Sequence, residues 1–240
     1  MANGFYRDGD EEIKLPHEPI PLAVFLIVEE AMRVAWQRLK ERASPRIDLR
    51  TAEEDEVTHD FYEVLYDEVF GHGLVDGFDE ERFKVVTRES KLRSFDGSHL
   101  DKMPDLLVSI AGRSNVFMRS QDWLFVECKP VGASHTVGVH YGAKGIARFI
   151  RGEYAWAMPN ALMVGYASPG YSIDPKLIDT LTNRGQEFEV IDFPRACPHS
   201  TPSVISDSVF ITSHRRTFDY VETKEAAPPI CLRHLWLKRI

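Results

Sequence analysis

Apolar side chains recur at helical spacing between Leu22 and Arg42, where Val24, Phe25, Val28, Met32, Ala35, Trp36 and Leu39 define one face. The pattern predicts a helix that stops at Ser44-Pro45, because the residue before a proline is pushed out of the helical region. A second apolar face runs through Val57, Phe61, Val64, Leu65 and Val69. Thr51 and Glu54 have capping-box spacing at its start, and Gly71 with Gly73 closes it. Apolar runs bounded by turn residues then predict strands at Phe83–Thr87, Asp105–Ile110 and Trp123–Lys129, the last bounded by Pro130 and Gly132. His140–Met158 carries a helical pattern through Ile146, Phe149, Ile150, Tyr154 and Met158, ended by Pro159. Ala161–Tyr166 reads as a short buried strand.

The order is therefore helix, three strands, helix and strand, with one further helix in front. It predicts an α/β fold with a mixed central sheet flanked by helices. Residues 1–50 read as an N-terminal arm and helix, 51–168 as the core, and 169–240 as a C-terminal extension packed on it. Added strands are expected at Ser203–Thr212 and Ile230–Leu237, with a loop between Val221 and Pro229. Neither end has enough apolar residues for a core of its own.

Composition changes this picture little, and charge changes it more. The longest apolar run, Pro19–Val28, is too short to cross a bilayer, and the acidic start (Asp8, Asp10, Glu11, Glu12) is wrong for a signal peptide. Three cysteines (Cys128, Cys197, Cys231) at unpaired spacing point to a reducing compartment, so the expectation is a cytoplasmic protein with no membrane partner. A net charge of -8 argues against a general DNA-coating protein. The charge is uneven, however. Eight acids fall between Glu53 and Glu68, whereas Lys129 to Arg151 holds four strong bases (Lys129, Lys144, Arg148, Arg151) and no acid. A phosphate responds to that local strip, not to the total.

The candidate chemistry sits on the third strand. Side chains alternate across a strand, so Glu127 and Lys129 share one face and Cys128 takes the other. Two charges at the end of a strand as apolar as Trp123–Val126 are costly unless they bind something. If the strand at Asp105 pairs with it through the 111–122 loop, Asp105 and Glu127 meet beside Lys129. Two carboxylates suit Mg²⁺, a hard cation that is also served by a backbone carbonyl, from Ile110 or Cys128. A lysine beside them can orient water and stabilise negative charge on phosphate.

Pro104-Asp105, a gap, and Glu127-Cys128-Lys129 in this helix-strand order resemble the PD-(D/E)xK, or restriction-endonuclease-like, nuclease superfamily over about residues 51–168. The resemblance implies a phosphodiester hydrolase using Mg²⁺ or Mn²⁺, acting on DNA rather than RNA, and would fit restriction or anti-phage defence and a homodimer. It gives Asp105, Glu127 and the Cys128 carbonyl to the metal, makes Lys129 catalytic, and adds Glu54 from the preceding helix. Lys144, Arg148 and Arg151, at helical spacings of four and three, would contact phosphate. The connection of 21 residues between Asp105 and Glu127 is longish for the pattern. A capping role accounts for Glu54 equally well, and His135 and His140 read as loop residues.

The competing reading is a catalytically inactive nuclease-fold module that binds nucleic acid or a protein. Cys197-Pro-His199 and Cys231-Leu-Arg-His234 lack the spacings of common zinc sites, and no GxGxxG, P-loop, GxSxG or HExxH motif occurs.

Overall fold

A computed structural model describes residues 14–42, 46–113, 118–197 and 209–240. In chain order the strands are β1 (Phe83–Arg88), β2 (Leu106–Ile110), β3 (Leu124–Val131), β4 (Asn160–Ala167), β5 (Val190–Ala196), β6 (Phe210–His214) and β7 (Ile230–Lys238). The helices are α1 (Leu22–Glu41), α2 (Glu54–Glu63), α3 (Ala147–Ile150) and α4 (Ile173–Asn183). Wider π-helical turns continue α2 through Val64–Phe70 and precede α3 at Val137–Ile146.

All seven strands join one mixed sheet in the order β1-β2-β3-β4-β7-β6-β5. β1, β2 and β3 form an antiparallel meander, as the expected pairing through the 111–122 loop requires. β3, β4 and β7 run parallel in the middle, and β6 and β5 return antiparallel at the far edge. Every residue of β3 is buried, which explains its near-continuous apolar run. Because β7 lies beside β4, residues 169–240 supply three strands of the sheet itself instead of resting on it.

Register assigns the two faces. Glu127, Met163 and His234 align across β3, β4 and β7, as do Lys129, Gly165 and Trp236. The Val137–Ile150 segment covers this face, and Tyr141 meets both His234 and Trp236. A Cβ on Gly145 would stand 2.7 Å from the Met163 terminal methyl and 3.4 Å from the Lys129 stem, so this segment packs closely against both side chains. The other face carries Tyr166, whose ring stacks on Trp36 of α1 at 5.2 Å and whose hydroxyl reaches Thr58 of α2 at 3.1 Å. On that side the buried Arg233 of β7 forms an ion pair with the buried Glu29 of α1.

Several sequence expectations are corrected. The cap of α2 is built by Glu53 and Glu56, whose carboxylate accepts the Glu53 N–H at 3.1 Å, not by Thr51 and Glu54. The expected helix His140–Met158 starts earlier, at Val137, and ends at Ile150, because Gly152 and Ala155 adopt positive φ angles. Pro130 lies inside β3 instead of bounding it. Its missing N–H costs nothing there: β2 pairs with β3 only as far as Leu106↔Val126, and Pro130 faces that open side. α4 and β5 were not expected: Pro175 and Pro194 lie within them, and no residue of β5 is fully buried. Of the strand expected at Ser203–Thr212, residues 203–208 lie outside the described residues, and β6 begins at Phe210.

Candidate active site

The side of β3 left open beyond Val126 organises the site. Asp105, one residue before β2, turns its carboxylate into the gap, where Oδ2 accepts the Cys128 N–H at 2.6 Å. Lys129 Nζ lies 3.4 Å from that same oxygen, 2.9 Å from Glu127 Oε1 and 2.9 Å from the Cys128 carbonyl. Glu54, the first residue of α2, completes the ring by pairing with Lys129. Since Glu53 and Glu56 do the capping, Glu54 is free of the role that would otherwise explain it. Of the four side chains singled out from sequence as catalytic, three are thus brought together around the ammonium group of the fourth, Lys129.

Two further groups hold Glu127, whose side chain is wholly buried. Arg148 Nη1 donates to Oε1 at 3.2 Å, and the Tyr154 hydroxyl donates to Oε2. Sequence reading placed Tyr154 only as part of an apolar helix face. The available signal was its hydroxyl, which needs a partner in a buried aromatic setting, and here the ring packs against Phe125 and Phe149. Of the proposed phosphate contacts, Arg148 alone reaches the site. Lys144 is exposed, and Arg151 lies beyond α3 and pairs with Glu153 at 2.6 Å, so the three do not share the helical face that their spacing suggested.

Three carboxylates (Glu54, Asp105, Glu127) thus face two cations (Lys129, Arg148) in a largely buried cluster. Burial, reinforced by the charge of Asp105, pushes the Glu127 carboxyl up to about 8 against the pull of Lys129 and Arg148. Burial likewise raises Glu54, with Lys129 opposing. For Lys129 burial acts downward, but Glu127, Asp105 and Glu54 outweigh it and hold the ammonium above its ordinary value.

The donor set fits a hard divalent cation. Asp105 Oδ1 takes part in none of these contacts, and the Cys128 carbonyl opens toward the same gap. The Cys128 thiol is on the opposite face with Tyr166, so only oxygen ligands are presented, as Mg²⁺ or Mn²⁺ prefers.

The other sequence candidates fall elsewhere. Cys231 and His234 lie on opposite faces of β7, so they cannot share an ion, and His199 lies outside the described residues. His135 and His140 contact each other, with ring centres 4.8 Å apart. Among the described residues, no helix is long and apolar enough to cross a membrane. Compared with protein-family models, curated proteins and solved structures, the chain finds no significant match in any of the three.

Proposed function

We propose that the protein is a metal-dependent nuclease that hydrolyses phosphodiester bonds, with residues 51–168 as a restriction-endonuclease-like core. The observation that carries this reading is the convergence of Glu54, Asp105 and Glu127 on Lys129 where β2 and β3 part. A structural salt bridge needs two partners; a buried lysine serving three carboxylates, with two more donors fixing one of them, is what a site built to hold and release charge requires.

Asp105, Glu127 and the Cys128 carbonyl would hold Mg²⁺, with Mn²⁺ as a substitute. When bound, the ion supplies Lewis-acid polarisation of the phosphoryl group and a lower pKa for bound water. Lys129 then orients the attacking water and stabilises negative charge developing on phosphate. Glu54 keeps Lys129 charged and in place, while Arg148 and Tyr154 hold Glu127. Arg148, about a third exposed, is also the cation best placed to meet a substrate phosphate. DNA is the substrate that the sequence resemblance favours.

Incubating plasmid and linear DNA with the protein and Mg²⁺, beside Lys129→Ala and Asp105→Ala, tests the proposal. Wild type should cut, and both variants should lose at least ~100-fold in rate. Equal cleavage by all three would refute it. The inactive-module reading draws on the net charge of -8 and predicts no cutting and no Mn²⁺ uptake dependent on Glu127.

A further inference from the structure

The second half of α2 carries another set of metal-ligating side chains. His59, Asp60 and Glu63 each place one ligand atom within 4.8 Å of the other two. They share no residue with the Lys129 cluster and stand five to nine residues beyond Glu54, roughly 8–14 Å of helical rise. Among the described residues, no other trio of histidine, cysteine or acidic side chains meets that distance.

Proximity alone would be unremarkable on an acidic helix. Asp60 makes it more than that. Its residue is only 4% exposed, and its Oδ2 is buried without any hydrogen-bond partner. A carboxylate oxygen out of water and without a hydrogen bond is costly, and such atoms are ordinarily paired or bound to a metal. Among the described residues no arginine or lysine pairs with Asp60, although Arg46 Nη1 lies 2.7 Å from the neighbouring Glu63.

We infer that His59, Asp60 and Glu63 form a second cation site, selective for a borderline first-row ion of the Zn²⁺ kind. The geometry is close to what such an ion needs. Ligands at 2.0–2.2 Å around a tetrahedral ion are roughly 3.3–3.6 Å apart. His59 Nε2 and Glu63 Oε1 are already 3.3 Å apart, and closing the remaining separations, none above 4.8 Å, asks for at most about 1.5 Å. The imidazole nitrogen sets the preference: Mg²⁺ and Ca²⁺ favour oxygen alone, whereas zinc takes histidine with carboxylates. One neutral imidazole and two carboxylates balance a dication. The displaced Arg46 is 66% exposed, so its ion pair opposes binding by little. Three protein ligands leave a fourth position to water. The two sites thus differ in kind, with all oxygen donors at Lys129 and mixed nitrogen and oxygen donors here.

Calorimetric titration with Zn²⁺, with thermal melts in parallel, tests the inference on full-length protein. An Asp105→Ala background takes one proposed ligand from the Lys129 cluster and so helps separate this site from the proposed nuclease centre. In that background one Zn²⁺ should bind and raise Tm, and a large excess of Mg²⁺ should not displace it. Adding His59→Ala or Asp60→Asn should weaken binding at least tenfold. In metal-free buffer Asp60→Asn should melt no lower than its parent, because the Oδ2 it replaces makes no hydrogen bond; a purely structural carboxylate would instead make it melt lower with zinc binding unchanged. His59 is exposed, so His59→Ala keeps the test decisive if Asp60→Asn fails to fold. Absence of zinc uptake in the Asp105→Ala protein, or uptake unaffected by His59→Ala, would overturn the inference.

Discussion

Glu127→Gln separates what the site costs the fold from what it does. The Glu127 carboxyl titrates at about 8 in the folded protein against an ordinary value of 4.5. A group raised on folding contributes most stability below its unfolded value and loses that contribution as pH climbs to the folded value. The loss therefore accumulates between about pH 4.5 and 8 and then levels off. At 1.36 kcal/mol per pH unit the full effect is on the order of 5 kcal/mol, of which about 3 is already present at pH 7. Glutamine keeps the shape and the Oε1 acceptor, and its amide N–H can donate to a reoriented Tyr154 hydroxyl, but it cannot ionise. In metal-free buffer, urea denaturation of wild type and Glu127→Gln should give similar stabilities at pH 5. At pH 8.5 the variant should be the more stable by about 3–5 kcal/mol. Mn²⁺ should then raise wild type at pH 8.5 and leave the variant unchanged. A difference between the two proteins that does not vary with pH would refute the reasoning, since it would mean that Glu127 titrates normally and is not held by burial beside Asp105.

Tyr154→Phe removes the donor to Glu127 Oε2, and because groups that orient a metal ligand commonly tune affinity by 10–100-fold, Mn²⁺ binding by calorimetry should weaken by about that factor. An unchanged dissociation constant would mean that the hydroxyl merely fills space. His214 and His234 sit in a buried chain in which Thr212 Oγ1 lies 2.7 Å from the Nε2 of each, His214 Nδ1 reaches the Phe188 carbonyl at 2.6 Å, and Tyr141 reaches His234 Nδ1 at 3.0 Å. Burial lowers His214 to about 4 and His234 well below its ordinary value, so their stability is complete above about pH 6.5 and is lost as pH falls toward 4. Read in Glu127→Gln to remove the opposing trend, this should cost about 2 kcal/mol from His214 alone at pH 5, a Tm drop of roughly 4–8 °C; a flat Tm from pH 7 to 5 would contradict it. Glu29→Ala strands the buried Arg233 and should destabilise by about 3–5 kcal/mol, whereas Glu29→Leu with Arg233→Met should recover most of that in the same melts.

What could be read from the chain follows from where signals are local. α1, α2 and β1 to β4 carry strong periodicity or dense apolar runs, and all of them form at or near the expected positions. Glu127 and Lys129 stood out because two charges at the end of an apolar strand have few structural explanations. Their meeting with Asp105 needed only a short antiparallel pairing, but their meeting with Glu54 depended on a cap that sequence assigned to the wrong pair. Tyr154 was hidden because its ring obeys the apolar pattern and only its hydroxyl does chemistry. The face shared by Lys144, Arg148 and Arg151 was misjudged because wider turns through Ile146 and an end at Ile150 break the regular helical spacing. β7 gave its strand character away but not its place at the centre of the sheet, since pairing with β4 is a contact between residues some 70 positions apart, as in Asn160↔Cys231.

The most direct test of the central claim is a crystal structure of the protein soaked in Mn²⁺, read by anomalous scattering. A peak is expected between Asp105 and Glu127, within coordination distance of the Cys128 carbonyl, with the Lys129 ammonium moved off the shared carboxylate oxygens. A crystal soaked at saturating Mn²⁺ with no peak in that gap, and with Lys129 still closed on Glu54, Asp105 and Glu127, would contradict it.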